Sequence, residues 1–158
     1  MKLTASGKFL GQADMSTTWL MPLTTANGNF TVTGKMGPMN ALALNPLIEP
    51  LAMTSVKSGM INKTEFVMNG NDYKATTDVL FTYNDLKLEM LKKDDANAIE
   101  KKDLMTLLAN LLIHNNNPSK GKAIRRNEVT NDRQLNRSFF NLIWQTIFKS
   151  LKKTTSRL

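Results

Sequence analysis

The side chains able to do covalent or metal chemistry are few, and their spacing does not assemble them. The chain has one histidine, His114, and no cysteine, which excludes thiol nucleophiles, disulfides and thiolate metal sites. A histidine metal centre lacks its second imidazole, and His114, at the polar end of a leucine-rich segment, reads as a surface or capping residue. The acids Asp94, Asp95, Glu100 and Asp103 stand among Lys92, Lys93, Lys101 and Lys102, where solvation and a helix start explain them without acid-base work. Gly34-Lys35-Met36-Gly37-Pro38 has neither the spacing nor the Lys-Ser/Thr end of a phosphate-cradling loop. Asn29-Phe30-Thr31, Asn62-Lys63-Thr64 and Asn136-Arg137-Ser138 match the glycosylation triplet, a pattern short enough to arise by chance. The chain therefore reads as non-enzymatic, with no cofactor and no metal.

With 158 residues, 41% of them hydrophobic, the chain can bury one real core. Its net charge of +8 is unevenly placed: residues 1–119 carry 11 basic and 11 acidic groups, residues 120–158 carry 10 and 2, so the whole excess lies in the tail. Such a tail suits an anionic partner, a lipid surface or nucleic acid, or a solvated terminus. Lys120, Lys122, Arg125, Arg126, Arg133 and Arg137 would serve phosphate contact, but no stacking motif or zinc finger accompanies them, which argues against nucleic acid. No apolar run is long enough to span a bilayer, and Met1-Lys2 runs straight into alternating residues without a signal peptide. The expectation is either a cytosolic protein or the C-terminal piece of a longer one.

The elements that must carry any site change character along the chain. From Leu3 to Trp19 the apolar or small residues fall on odd numbers, which predicts one long strand, or two with a bulge near Gly7 or Gly11. The period of two returns at Phe30–Met36, Val56–Met68 and Tyr73–Tyr83. Asn27-Gly28-Asn29 and Asn69-Gly70-Asn71-Asp72 supply turn residues, so hairpins and an antiparallel sheet follow. Asn45-Pro46 predicts a short helix, capped by Asn45 and limited by Pro50. At Tyr83-Asn84-Asp85-Leu86 the apolar phase slips, predicting a turn or bulge.

Leu104, Leu107, Leu108, Leu111 and Leu112 recur at helical spacing, predicting a helix from near Asn97 or Asp103 to about Pro118. After an aperiodic basic stretch from Ser119 to Thr130, Asn131 or Asp132 would cap a second helix reaching about Lys152. Its apolar arc is wide: Leu135, Phe139, Leu142, Ile143 and Ile147 cover one side, and Phe140, Trp144 and Phe148 extend it. A helix of this kind wedges between the sheet and a second apolar surface, and Lys149, Lys152 and Lys153 suit its C-terminus or an anionic headgroup layer. The expected fold is α+β: a twisted, curved antiparallel sheet over residues 1–92 with a short helix near 45–52, then a helical segment over 93–158 packed on it. Either the helices close the sheet over an ordinary core, or its apolar face stays open as a groove.

Several residue groups, in order, resemble the C-terminal region of AsmA-like bacterial envelope proteins. They are Gly34-Lys35-Met36-Gly37 with Leu44-Asn45-Pro46-Leu47, then Val56-Lys57-Ser58-Gly59-Met60-Ile61, Phe81-Thr82-Tyr83-Asn84-Asp85-Leu86, Asn110 through Pro118, and Arg137-Ser138-Phe139-Phe140-Asn141-Leu142-Ile143-Trp144. The resemblance runs from about residue 2 to 152. It implies a periplasmic protein tethered to the inner membrane by an upstream helix absent from this chain, with an apolar β-groove that carries phospholipid between membranes and supports outer-membrane homeostasis. On that reading Phe30, Val32, Met60, Phe66, Met68, Val79 and Phe81 line the lipid strip. Phe140, Trp144, Phe148, Lys149, Lys152 and Lys153 meet a membrane surface, the upstream part of the same polypeptide, or another envelope protein. The competing expectation is an interaction cap that binds a protein partner through its aromatic helix.

Overall fold

The computed structural model describes residues 1–24, 26–93, 99–101 and 113–157. The strands are β1 (Lys2–Phe9), β2 (Ala13–Leu20), β3 (Phe30–Met36), β4 (Met39–Asn40), β5 (Thr54–Gly70), β6 (Lys74–Lys93), β7 (Ile99–Lys101) and β8 (Arg126–Asp132). A 3-10 turn over Ala41–Leu44 leads into helix α1 (Asn45–Ala52), and helix α2 spans Phe139–Thr155. The fold is α+β, an open antiparallel sheet followed by a C-terminal helix. The order across it is β1-β2-β3-β5-β6-β8; β4 prolongs the β3 side of β5, and β7 pairs with the far end of β6.

The long alternation at the N-terminus is a hairpin. Leu10 and Gly11 both take positive φ (50° and 71°), and the chain reverses so that Phe9 pairs with Ala13 and Leu3 with Trp19. Because paired numbers sum to an even value, odd residues keep the same face on both arms, and the sequence pattern passes through the turn without a break. The Asn69–Asp72 turn forms as its residues suggest: the Asn71 side-chain oxygen accepts from the backbone N–H groups of Tyr73 (2.9 Å) and Lys74 (3.1 Å). At the phase slip Asp85 adopts φ 53° and the β5–β6 register shifts, so Tyr83 and Leu86 both point into the core.

Three expectations are corrected. Asn45 does not cap α1; it is the first helical residue, and its amide instead exchanges hydrogen bonds with the Val56 backbone (2.7 and 3.0 Å). Pro50 lies inside α1, which ends at Met53 in a left-handed conformation. Residues 131 and 132 do not start a helix. They finish β8, which pairs with Lys74–Leu80, and α2 begins later, with the Ser138 hydroxyl accepting from Asn141 N–H. The leucine-rich helix expected before Pro118 falls at residues 102–112, outside the described residues, and residues 99–101 just before it are strand β7.

One face of the sheet carries the core in two patches. Phe30, Val32, Met68 and Ala75 pack beneath Leu142 and Ile143 of α2. Val56, Ile61, Phe81, Tyr83 and Leu86 pack with Met39, Ala41 and Ile113, and Ile48 of α1 lies against them. The helix comes close because its inward residues are small: Thr146, Ser150 and Thr154 are fully buried, and the Ser150 hydroxyl donates to Asn127 of β8 (2.8 Å). Two glycines serve the same closeness across strands. The Phe66 ring lies over Gly34 and the Phe30 ring over Gly70, each where a Cβ would stand.

Candidate functional site: the open end of an apolar sheet face

The strand register aligns the inward residues in rows that run from one edge of the sheet to the other. The first row is Leu3, Trp19, Val32, Met68, Thr77 and Val129. Leu3 is 52% exposed and Trp19 half-buried, whereas Val32, Met68 and Thr77 are sealed. The neighbouring row repeats the gradient: Ala5 is exposed, Thr17 half-buried, and Val79 fully buried. Next to it, Gly7 is exposed, Met15 and Met36 half-buried, and Phe81 buried. The apolar face is thus most open over β1, half-covered over β2 except at the buried Ala13, and sealed toward β5 and β6.

This placement corrects the expected lipid strip. Phe30, Val32 and Met68 are buried beneath α2, Val79 and Phe81 are buried in the second patch with Met39, Ala41 and Ile113, and Phe66 is half-buried between the two with its ring on Gly34. Met60 is 44% exposed, for a different reason: the register shifts around it leave Ile61, not Met60, pointing inward. The residues that expose an apolar inward face are Leu3, Phe9, Met15 and Trp19. Their alternation was visible in the sequence; what hid their role was that burial depends on where α2 stops.

The other candidate group stays together. Phe140 is 69% exposed and meets Trp19 edge-on, with ring centroids 6.0 Å apart. Trp144 and Phe148, each one helical turn further on, stack on one another at 6.0 Å. Of these rings, Phe140 borders the open β1–β2 surface through Trp19. Lys149 is on the opposite flank, where its ammonium donates to the Thr130 carbonyl (3.1 Å), and Lys152 and Lys153 are exposed at the helix C-terminus. At the hairpin end a depression of about 730 Å³ opens between Gly7, Met15 and Met36 and the charged residues Lys8, Asp14 and Lys35. Lys8 and Asp14 there form an ion pair at 2.8 Å.

Much of the basic tail has structural work. Arg126 pairs with Asp78 (3.0 Å), Arg133 with Asp72 (3.5 Å), and the Arg125 guanidinium donates to Ser119 (3.0 Å) and to the Asn116 carbonyl. A feature that sequence reasoning missed lies beside Arg125. Asn117, fully buried, bonds through its backbone to the N–H and carbonyl of Tyr83, and its side chain joins the Phe81 carbonyl to the N–H and carbonyl of Arg125. The Asn115-Asn116-Asn117 run, expected as a helix stop, is instead a clamp along the outer edge of β6. Burial raises the Tyr83 phenol above its usual pKa even though the Arg125 charge opposes this, and the hydroxyl donates to the His114 carbonyl (3.0 Å). Desolvation, reinforced by the charges of Arg125 and Arg157, holds His114 below its usual value, so its neutral form is favoured.

Among the described residues no acidic or imidazole groups gather as a metal site, and no helix is long and apolar enough to cross a membrane. No protein-family model matches the chain, and no curated protein or solved structure is detectably similar to it.

Proposed function

We propose that this chain is a non-enzymatic cell-envelope module that lends an apolar β-surface to phospholipid and so supports the outer membrane, in the manner of the AsmA-like proteins it resembles. The lipid surface is the open half of the inner face rather than the strip sealed by α2. The observation that carries this reading is the exposure gradient along the rows: apolar side chains continue past the edge of the core, onto Leu3 and Trp19, beside an aromatic helix flank. Acyl chains would lie on Leu3, Phe9, Met15 and Trp19 against Phe140, Trp144 and Phe148. Headgroups would remain at the wet edge of that surface. Transfer along such a surface needs no covalent step, in keeping with the lack of catalytic groups in the sequence. The location that goes with it is the periplasm, with tethering to the inner membrane through an upstream helix.

The test is native mass spectrometry with organic extraction on detergent-free protein, combined with photo-crosslinking residues placed at Leu3, Trp19 and Met68. Phospholipid at fixed stoichiometry, captured from positions 3 and 19 but not 68, is the expected result. Lipid-free folded protein, or capture from position 68, refutes it. The burial of Val32, Met68 and Val79 favours one second reading, a terminal cap that binds a protein partner through Phe140 and Trp144. In that case Phe140→Ala with Trp144→Ala abolishes partner capture and the protein never carries lipid.

A further inference from the structure

Among the described strands β1 is outermost on its side of the sheet, and its register limits what could pair with its edge. Met1 and Met21 exchange backbone hydrogen bonds (2.8 and 2.9 Å), so the odd residues of β1 turn their polar groups toward β2. Alternation then turns the N–H and C=O groups of Lys2, Thr4, Ser6 and Lys8 outward, along a sheet edge that no described strand covers. Every residue of β1 up to Lys8 is exposed.

We propose that two copies of the chain pair through β1, antiparallel, about a two-fold axis at Ser6. Three observations select this arrangement. First, centring on Ser6 sets each Leu3 opposite the other copy's Phe9 in the closely spaced, non-hydrogen-bonded position, where apolar pairs interact best. Second, it sets Thr4 opposite Lys8, whereas centring on Ala5 would oppose Lys2 to Lys8 twice. Third, one of the two edge lysines already has an acidic neighbour on its own chain, Lys8 lying 2.8 Å from Asp14, which lessens its repulsion of a second edge. Pairing between residues of equal parity puts both inner faces on one side of the joined sheet. The two open β1–β2 surfaces then merge into one apolar floor, with an α2 aromatic flank at each border. The pairing rests on the edge geometry alone; the floor it creates is what the lipid reading would use.

Absence of native cysteine makes the register directly readable. Under mild oxidation Ser6→Cys gives a disulfide-linked dimer, because paired Cα atoms at that position lie about 5.5 Å apart. Thr4→Cys does not, its partners being offset by four residues, about 14 Å. In sedimentation equilibrium Thr4→Glu, now facing Lys8 twice, tightens the dimer by about two- to thirty-fold in Kd, and Thr4→Lys weakens it by a similar factor. Both side chains point to solvent, so circular dichroism stays unchanged. A wild-type chain that remains monomeric at about 1 mM overturns the proposal; so does a dimer indifferent to both charges, or one captured by Ala5→Cys in preference to Ser6→Cys. A longer chain in which Ser6→Cys is protected within a monomer assigns the edge to an intrachain strand and overturns it too. Lipid extraction from the Thr4→Lys monomer separates this outcome from the fate of the lipid reading.

Discussion

Replacing Asn117 by alanine tests whether the fold is held where the structure places the clamp. The side chain makes three hydrogen bonds, to Phe81 O, Arg125 O (3.0 Å) and Arg125 N (2.8 Å), and is fully buried. Alanine removes all three at once and leaves two carbonyls and one N–H short of a partner. At about 1 kcal/mol for each lost bond, rising where the orphan stays dry, the cost is about 3 kcal/mol. With a urea dependence of about 2 kcal/mol per molar, the unfolding midpoint falls by about 1.5 M at unchanged slope. Asn116→Ala is the internal standard: half-buried, it gives up one side-chain bond, to Asp85 N (3.0 Å), and costs about a third as much. Asn117→Asp exceeds alanine, since it keeps the acceptor for Arg125 N but sets an oxygen against two carbonyls. The reasoning fails if Asn117→Ala shifts the midpoint no further than Asn116→Ala, because burial and bond number would then not decide the cost.

Gly34→Ala drives a methyl into the Phe66 ring and should cost about 1–3 kcal/mol, with altered near-ultraviolet circular dichroism as the ring is displaced; a silent substitution would contradict the close approach. Ser150→Leu, at a fully buried position facing β8, lifts α2 from the sheet and should raise binding of a hydrophobic dye, whereas Lys153→Leu on the exposed side should not. His114 binds its proton less tightly in the folded than in the unfolded chain. Stability should be fully present above about pH 6.5 and decline as acidification proceeds through the lowered folded value. Thermal scans from pH 8 to 5 should show that decline softened in His114→Gln; a decline of equal size in the variant would assign it to other groups.

The parts of the fold that could be read from the sequence are those fixed by local pattern. Alternation located the inward residues of β2 and β3, those of β5 except at Met60 and those of β6 from Ala75, Asn71 announced its own turn, and the slip at Asp85 marked a real irregularity. What could not be read depends on partners distant in sequence. Strand β8, Arg126–Asp132, has a single apolar residue, Val129, and owes its extended form to pairing with residues some fifty positions earlier. The same holds for the candidate site. A period of two says which side of β3 faces inward, but not whether α2 or solvent meets it, so Val32 and Leu3 look equivalent until the helix is placed. Asn117 was overlooked because an asparagine before a proline signals a loop, and nothing local distinguishes a loop amide from a buried clamp.

Closure of the core by α2 also has a consequence in time. Roughly 70 residues separate the end of β5 from the start of α2, and at ribosomal elongation rates they take about 3–14 s to make. Through that interval Val32 and Met68 have no cover, and until residue 132 has been made β6 has no complete β8 along its outer side. The nascent chain therefore presents a wet apolar sheet and a bare strand side together, the combination that invites mispairing. Truncation before Phe139 would keep β8 but leave Val32 and Met68 uncovered permanently, so the last helix acts as an intramolecular chaperone for strands made long before it.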